Sequence, residues 1–256
     1  MKHKLNIAVT VAVYMLLMLL PFYFVISWWW FITPALLSFT IAGLGSAFVG
    51  SGYHVKALCS ANTSARKIAI TFDDGPHPET LRVLDLLKQY GAKGTFFCIG
   101  KQIEKHPDIL RKIVDEGHTV GNHTYSHSTK WGFFRKQQVI DEMKRTNDVI
   151  MGITSMKAKL FRPPFGVTSP SIAKALKITG YNVIGWNIRS LDTVIKDEHK
   201  ILNRIKKQLK PGSIILLHDT SAKSVKVLEQ LLVLLQKNNY EAVTVDELLN
   251  ISAYEE

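Results

Sequence analysis

The sequence predicts an α/β chain in which short apolar strands alternate with helices on a mostly parallel sheet, open or closed into a barrel. Two observations carry this expectation. From Lys67 onward, apolar runs at 67–72, 94–99, 118–122, 158–162, 181–187, 213–218 and 241–245 alternate with helical stretches near 79–90, 107–116, 137–150, 169–179, 198–210 and 223–238. The polar motifs all follow the C-terminal ends of those runs, the edge where sheets and barrels wrapped by helices bind ligands.

The N-terminal part precedes this alternation and has a different composition. Residues 5–53 contain no Lys, Arg, Asp or Glu. Leu5–Ser27 would make a helix about 35 Å long, more than the roughly 30 Å of bilayer hydrocarbon. Phe31–Gly50 could span as well, with Pro34 tolerated in its first turn. The run is too long for a cleaved signal peptide, and no small-residue cleavage site ends a short core. Trp28, Trp29 and Trp30 fall between the two segments as an interfacial aromatic belt, with a ligand-stacking platform as the alternative. Lys2 and Lys4 lead the first segment; Lys56, Arg66 and Lys67 trail the second. Two spans would place both basic ends and the following domain on the cytoplasmic face, the preferred arrangement; a single span would place the domain outside. The expected organisation is therefore a membrane anchor over 1–58, a polar linker over 59–66, a catalytic domain over 67–250 and a short tail over 251–256.

Within the domain, Ile68-Ala69-Ile70-Thr71-Phe72 reads as a buried strand that Asp73 and Asp74 stop. Gly75 and Pro76 turn the chain away and leave both acids on the strand's C-terminal edge. Adjacent carboxylates repel unless a cation or a shared proton compensates. A metal ion is the natural compensator, and His123-Thr124-Tyr125-Ser126-His127 offers two imidazoles four residues apart. Either motif alone is weak, because Asp-Asp-Gly is commonly a plain turn. Together, Asp74, His123 and His127 form a two-His, one-carboxylate set with an open position for water, which is a hydrolytic arrangement. Among the helices, Pro78-Glu79 opens one after a turn, and Gly91, Gly117 and Gly180 follow three others as C-terminal caps. The helix over 198–210 turns Ile201, Leu202, Ile205 and Leu209 inward and most of its lysines outward, a solvated face or a lipid-docking one.

The bulk numbers bound the partners. The net charge of +11 suits a membrane surface or an anionic substrate. The basic residues are scattered rather than interleaved with aromatics, which excludes a nucleic-acid module. Two cysteines, Cys59 and Cys98, are too few for a disulfide framework, and Cys98 ends an apolar run as an inert core thiol.

Four motifs in order, Thr71-Phe72-Asp73-Asp74-Gly75-Pro76, His123-Thr124-Tyr125-Ser126-His127, Arg162-Pro163-Pro164-Phe165-Gly166 and Leu216-Leu217-His218-Asp219, resemble those of the NodB-like polysaccharide deacetylases, the fourth carbohydrate esterase family. The resemblance runs from about Arg66 to Leu249. It implies a distorted (β/α) barrel of about seven strands and metal-dependent removal of an N-acyl group, usually acetyl, from an amino sugar. Carried over by position, it implies that Asp74, His123 and His127 hold a divalent metal, zinc first, with cobalt, nickel or manganese as alternatives. It further implies Asp73 as general base, Arg162 as its partner, His218 as the general acid that protonates the leaving amine, and Asp192 as the partner of His218. Phe165, Trp186, Arg189 and Leu216 are the expected substrate contacts. Arg162-Pro163-Pro164 could instead be only a rigid turn, and Asp219 a helix cap. His77, His106, His118 and His199 are expected to be ordinary loop, helix or strand-edge residues.

One stretch departs from the family pattern. Many relatives carry Asp-x-x-Asp-Trp after the fifth strand; here Arg189 stands for the first Asp, Asp192 keeps the second, and Thr193 replaces the Trp. Arg189 could contact an anionic group such as a lipid-linked phosphate, or simply pair with Asp192. The expected partners are thus an N-acylated amino-sugar glycan or a polyprenyl-phosphate-linked sugar, together with membrane lipid, without nucleic acid or an evident protein partner. A catalytically silent glycan binder or membrane scaffold is the rival reading, and retention of the whole acid, base and ligand set argues against it.

Overall fold

The structure, a computed structural model, describes residues 2–22 and 25–255. Two helices lead, α1 (Lys2–Leu19) and α2 (Trp29–Ala47), and the domain then runs β1 (Lys67–Asp73), α3 (Pro78–Gln89), β2 (Gly94–Cys98), α4 (Gly100–Lys105), α5 (Pro107–Asp115), β3 (Thr119–Asn122), α6 (Lys136–Thr154), β4 (Leu160–Phe161), α7 (Pro170–Thr179), β5 (Asn182–Val183), β6 (Ile188–Arg189), α8 (Glu198–Gln208), β7 (Ile214–His218), α9 (Ala222–Lys237), β8 (Glu241–Val243) and α10 (Val245–Leu249). All the strands pair in parallel, in the order β5-β4-β3-β2-β1-β7-β6, with β8 joined to the first half of β1. The expected distorted barrel of about seven strands is what forms.

Every β1 residue from Ile68 to Asp73 is buried, because the strand is covered on both faces. The alternation of side chains sorts them. Ile68, Ile70 and Phe72 join Ile215, Leu217, Phe96 and Cys98 in an outer layer against α3, α5 and α9, where Leu84, Leu87, Ile113, Leu228 and Leu231 complete the packing. Ala69, Phe97, Ile214 and Leu216 face the barrel interior with Phe161 and Trp186. Thr71, Asp73 and His218 share that inward parity, so the sheet's own geometry delivers them to one axis.

Several expectations change here. The strand expected over 181–187 shortens to β5, and β6 follows just beyond it at the opposite edge of the sheet order. The step from Val183 to Ile188 can cover at most about 18 Å, so the two edges lie close and the chain itself closes the barrel. The stretch expected as a polar linker is also structured. Leu58 bridges to Ile184 and Ser60 to Ser213, with Leu58 N–H donating to Val183 O at 2.8 Å and Ala61 N–H to Gly212 O at 2.8 Å. It fills the seam between β5 and β7. The tail is packed as well: Ala253 is buried, and the Tyr254 hydroxyl accepts from Val120 N–H at 2.9 Å. Helices α4 and α10 were not expected. Thr244 ends β8 and caps α10 by accepting from Glu247 N–H, which shortens the strand drawn to residue 245.

α1 ends before the apolar run does, with Pro21 in a 3₁₀ turn over Leu20–Phe22. Part of the expected first span, residues 23 and 24, lies outside the described residues. Both helices are long and apolar enough to cross a membrane by length and composition. They pack as an antiparallel hairpin: Lys2 Nζ donates to Ser51 O at 2.7 Å, His3 N–H to Tyr53 O at 3.2 Å, and the Tyr14 hydroxyl to Phe31 O at 2.7 Å.

The seam yields a stability prediction. A Cβ on Gly185 would lie 2.5 Å from Cys59 Sγ and 3.3 Å from Val49 Cγ1. Gly185→Ala is expected to destabilise the protein by about 1–3 kcal/mol through overpacking, seen as a lowered Tm. Adding Cys59→Ala should restore much of the loss, because it removes the atom in the way.

Candidate active site

Arg162, at the end of β4, crosses the barrel interior fully buried. Its guanidinium donates to Asp73 Oδ1 at 2.7 Å, Thr71 Oγ1 at 2.7 Å, Gly185 O at 2.9 Å and Ile184 O at 3.3 Å, and stacks 4.1 Å from the Phe97 ring centroid. The rigid-turn reading of Arg162-Pro163-Pro164 is therefore incomplete: a 3₁₀ turn does follow over Pro164–Gly166, and the arginine pairs with Asp73 as expected.

Asp74 lies one residue past the strand with φ 74°, which swings its carboxylate over the rim. Its Oδ1 is 3.5 Å from His123 Nε2 and 3.3 Å from His127 Nε2, and it is buried without any hydrogen-bond partner. The His123 side chain is set by its other nitrogen: Nδ1 lies 2.7 Å from Arg162 O, and a carbonyl can only accept, so Nδ1 carries the proton. Nε2 is then the nitrogen turned toward Asp74. Burial, with the charge on His123 adding to it, pushes His127 down to about 4, so its imidazole is neutral at physiological pH. Burial also opposes ionisation of Asp74, yet the imidazoles of His123, His127 and His218 hold its carboxyl well below the usual range. For His123 burial works against the charge, but the Asp73 and Asp74 carboxylates outweigh it and raise the imidazole above its ordinary value, so a cation at Nε2 competes with a proton there.

A divalent cation fits these three residues. Tetrahedral ligands about 2.0–2.1 Å from zinc lie about 3.4 Å apart, and the two Asp74 distances fall on either side of that value. The ligand atoms of Asp74, His123 and His127 all lie within 4.8 Å of one another. An orphaned buried carboxylate oxygen facing two imidazole nitrogens is a ligand set with nothing to bind within the protein.

His218, at the end of β7, faces the same space with Nε2 3.8 Å from Asp74 Oδ2. Its Nδ1 lies 2.9 Å from Asp192 Oδ1, while Asp192 Oδ2 accepts from His218 N–H at 2.9 Å. Burial disfavours the imidazolium, but Asp192 with the Asp73 and Asp74 charges pushes His218 up to about 9. Asp192 is fully buried and is fed by the hydroxyls of Ser190 and Ser224, both at 2.8 Å. Asp219 is not a helix cap, since Ser221 caps α9. It accepts instead from the Thr80 hydroxyl at 2.5 Å, against the Gly75 turn, and burial lifts its carboxyl to about 7.

Of the expected substrate contacts, Phe165 is half-exposed with its ring 4.6 Å from that of His127. Trp186 and Leu216 are buried in the inward layer. Trp186 lies between two guanidiniums, 5.6 Å from Arg162 and 6.0 Å from Arg189. Arg189 is exposed and makes no ion pair with Asp192, so that alternative is corrected: Asp192 is committed to His218. His77 caps α3 through Nδ1, and buried His118 accepts from Gly94 N–H, both structural.

Sequence reasoning missed the residues that hold the histidine loop. Glu142, on α6, accepts from Tyr125 N–H at 3.0 Å, Ser126 N–H at 2.7 Å and the Ser126 hydroxyl at 2.9 Å. Asn122 Oδ1 accepts from Thr124 N–H at 2.9 Å. These bonds hold Thr124 and His127 at φ 65° and 47°, left-handed values that cost about 1–2 kcal/mol each. Nothing in the one-dimensional pattern marks Glu142, since it lies 15 residues past His127 on an otherwise ordinary helix.

Parallel strands closed around a buried arginine–aspartate pair, with carboxylates and imidazoles converging on the C-terminal rim, define a (β/α) barrel whose rim accommodates a divalent cation. Known proteins share this frame. The polysaccharide deacetylase family model matches residues 60–184. The chain is 38% identical over 193 residues to a peptidoglycan-N-acetylglucosamine deacetylase of Bacillus cereus, covering 71% of this chain and 87% of that one. It is 33% identical over 196 residues to the peptidoglycan-N-acetylmuramic acid deacetylase PdaA of Bacillus subtilis, covering 73% of each. The crystal structure of the Bc1960 peptidoglycan N-acetylglucosamine deacetylase superposes with a TM-score of 0.73 at 29% identity, over 77% of this chain and 94% of that one. The chain belongs to the polysaccharide deacetylase family, the NodB-like fourth carbohydrate esterases, and with it to the hydrolases that cleave carbon–nitrogen bonds other than peptide bonds.

Glu142→Ala is expected to remove on the order of 2 kcal/mol of support from the histidine loop. Hydrogen exchange at the Tyr125 and Ser126 amides should quicken, while Val120 and Gly121 in β3 stay protected.

Proposed function

We propose that this protein is a metal-dependent N-deacetylase acting on an N-acetylated amino sugar within a glycan. The observation that carries the reading is the unpartnered buried Asp74 Oδ1 between His123 Nε2 and His127 Nε2, with Asp73 and His218 on either side. Asp74, His123 and His127 would hold the metal, zinc first. When bound, a divalent cation supplies Lewis acidity to water and to the amide carbonyl.

The chain's own residues divide the proton work. Asp73 is aimed by Arg162, and takes the proton of the attacking water as general base. His218, charged below about pH 9, gives its Nε2 proton to the amine as the carbon–nitrogen bond breaks, since an unprotonated amine is a poor leaving group. Asp192 orients that imidazole and stabilises its charge. Phe165, Trp186 and Leu216 shape the acyl side of the pocket, and Arg189 stands at its mouth. An inert glycan binder would leave the Asp192–His218 pair without a use. The α1–α2 hairpin would serve as a two-span anchor over 1–58, and its basic flanks would place the domain at the cytoplasmic face; a reporter fused after Glu256 reads that side directly.

Purified protein should contain about one equivalent of divalent metal and release acetate from a chitooligosaccharide, and chelation should stop the release. Asp74→Asn should lose the metal, whereas His218→Ala should keep it while kcat falls by about 10²–10⁴. A His218→Ala enzyme of unchanged kcat would overturn the acid assignment.

The sign of the pH dependence is fixed by the raised His218 value. Activity should fall as pH rises through about 9, and Asp192→Asn should bring that limb down toward the ordinary histidine range. The same pair stabilises the fold fully below about pH 6.5 and loses its contribution as pH rises through about 9. The Tm difference between wild type and Asp192→Asn should therefore shrink at alkaline pH.

A further inference from the structure

We propose that the turn over residues 130–136 is a second membrane contact, so that the site opens onto the bilayer surface and takes its amino sugar from a glycan carried on a membrane lipid. The substrate part of this inference rests on the deacetylase reading above, and the contact itself rests on the hairpin being an anchor.

The first observation is how the hairpin joins the barrel. Ser46 O, in the last turn of α2, accepts from Thr168 N–H at 2.8 Å, and Ser46 Oγ lies 2.9 Å from His54 Nε2. Val49, Tyr53 and His54 are buried, and Val49 packs in the same inward cluster as Trp186. This is a packed joint, not a loose tether. Thr168 follows Phe165 by three residues, a reach of at most about 11 Å, and the Phe165 ring touches His127. Adding those steps keeps the metal-site rim within about 20 Å of the end of α2. A rigid joint of that length holds the mouth close to the hydrocarbon boundary if α2 spans.

The second observation is independent of the first. The turn after the histidine motif, Lys130-Trp131-Gly132-Phe133-Phe134-Arg135-Lys136, is anchored by one aromatic and presents another. Trp131 is buried and its Nε1 donates to Val167 O at 3.1 Å, while a Cβ on Gly132 would lie 3.0 Å from Val167 Cγ1. Phe133 is 91% exposed. Lys130, Arg135 and Lys136 are exposed around it, form no salt bridge among the described residues, and have no acidic residue in sequence between His127 and Ile140. An unpaired cationic ring around a bare phenylalanine is the composition of an interfacial anchor on anionic lipid. Val167 touches this turn and precedes Thr168, so the turn and the hairpin joint flank the same loop of the site. A single exposed phenylalanine needs no explanation by itself; its place beside the joint and the mouth does.

The test uses the full chain, reconstituted in vesicles of phosphatidylethanolamine and phosphatidylglycerol. In a Cys59→Ser background, a spin label on Phe133→Cys should be accessible to oxygen and shielded from a water-soluble relaxant. A label on Asn239→Cys, in the turn before β8 at the opposite end of the strands, should behave as in water. Phe133→Ser should lower the rate on an N-acetylated amino sugar linked to polyprenyl phosphate in the same vesicles by about tenfold and leave the rate on a soluble chitooligosaccharide unchanged. Equal water accessibility at the two labels would overturn the membrane contact. Equal rates of wild type and Phe133→Ser on the lipid-linked sugar, or equal losses on both substrates, would overturn the substrate assignment. Absence of acid release from either substrate would instead overturn the deacetylase reading, and the label depths would still decide the contact.

Discussion

The structure depends on one buried ion pair. Arg162 and Asp73 meet on the barrel axis at 2.7 Å, where the guanidinium is fully buried and the carboxylate nearly so. Desolvating two charges costs several kcal/mol each, and their attraction repays it only when the remaining donors are satisfied. Here they are: the guanidinium also reaches Thr71 and two carbonyls, Ile184 and Gly185. Those carbonyls belong to the segment that carries the chain from one sheet edge to the other. The same side chain thus holds the closing segment in place, fills the barrel interior and orients the acid at the rim. Because Arg162 O also accepts from His123 Nδ1, the pair sets the orientation of a metal-facing imidazole as well.

Around that axis the rim is assembled from strained pieces held by neighbours. Asp74, Thr124, His127 and Phe165 all have φ between 47° and 74°, where a Cβ is unwelcome. Such backbone persists only where the surroundings over-determine it. Glu142 and Asn122 do this for the histidine loop, and Gly166 does it for the Phe165 turn by lying against Trp186 at φ 71°. The ligands therefore face one another before any cation arrives, and the electrostatics follow from that placement. Asp74 stays ionised, His127 neutral and His218 charged because of the neighbours the fold assigns to each.

Much of this was legible in the chain. β1 and β7 read correctly because both are unbroken apolar runs that end in ionisable residues, and period-two alternation then puts Asp73 and His218 on one face. The motif resemblance supplied the Arg162–Asp73 and Asp192–His218 pairings, and the geometry has both. The run over 181–187 misled for a physical reason: Val183, Ile184 and Trp186 are all buried, but the chain there crosses from one edge of a closed sheet to the other, so the strand ends at Val183 and the next begins only at Ile188. Composition reports burial and not which neighbour provides it. Ser60 was invisible for the converse reason, since a polar-looking stretch can fill a seam through backbone bonds alone. Glu142 lay beyond reach because its role exists only once α6 packs under the loop.

The hairpin raises the same question of what surrounds a side chain. Asn6, Thr10 and Tyr14 recur at helical spacing on α1. Asn6 bonds to Ser38 O and the Tyr53 hydroxyl, Thr10 to its own helix, and Tyr14 to Phe31 O, so the polar atoms of α1 turn toward α2. What is left outward is Leu5, Val9, Leu16 and Leu19 on α1 and Leu36, Leu37, Phe39 and Leu44 on α2, all exposed. An apolar surface of that extent on two adjacent helices is stable only against something equally apolar. Helices that satisfy their polar groups on each other and bare their hydrocarbon outward, and are long and apolar enough to cross a membrane, match what a bilayer asks of a span. The packed joint at Ser46 and Thr168 then passes that constraint to the catalytic rim: whatever fixes the hairpin also fixes where the barrel opens.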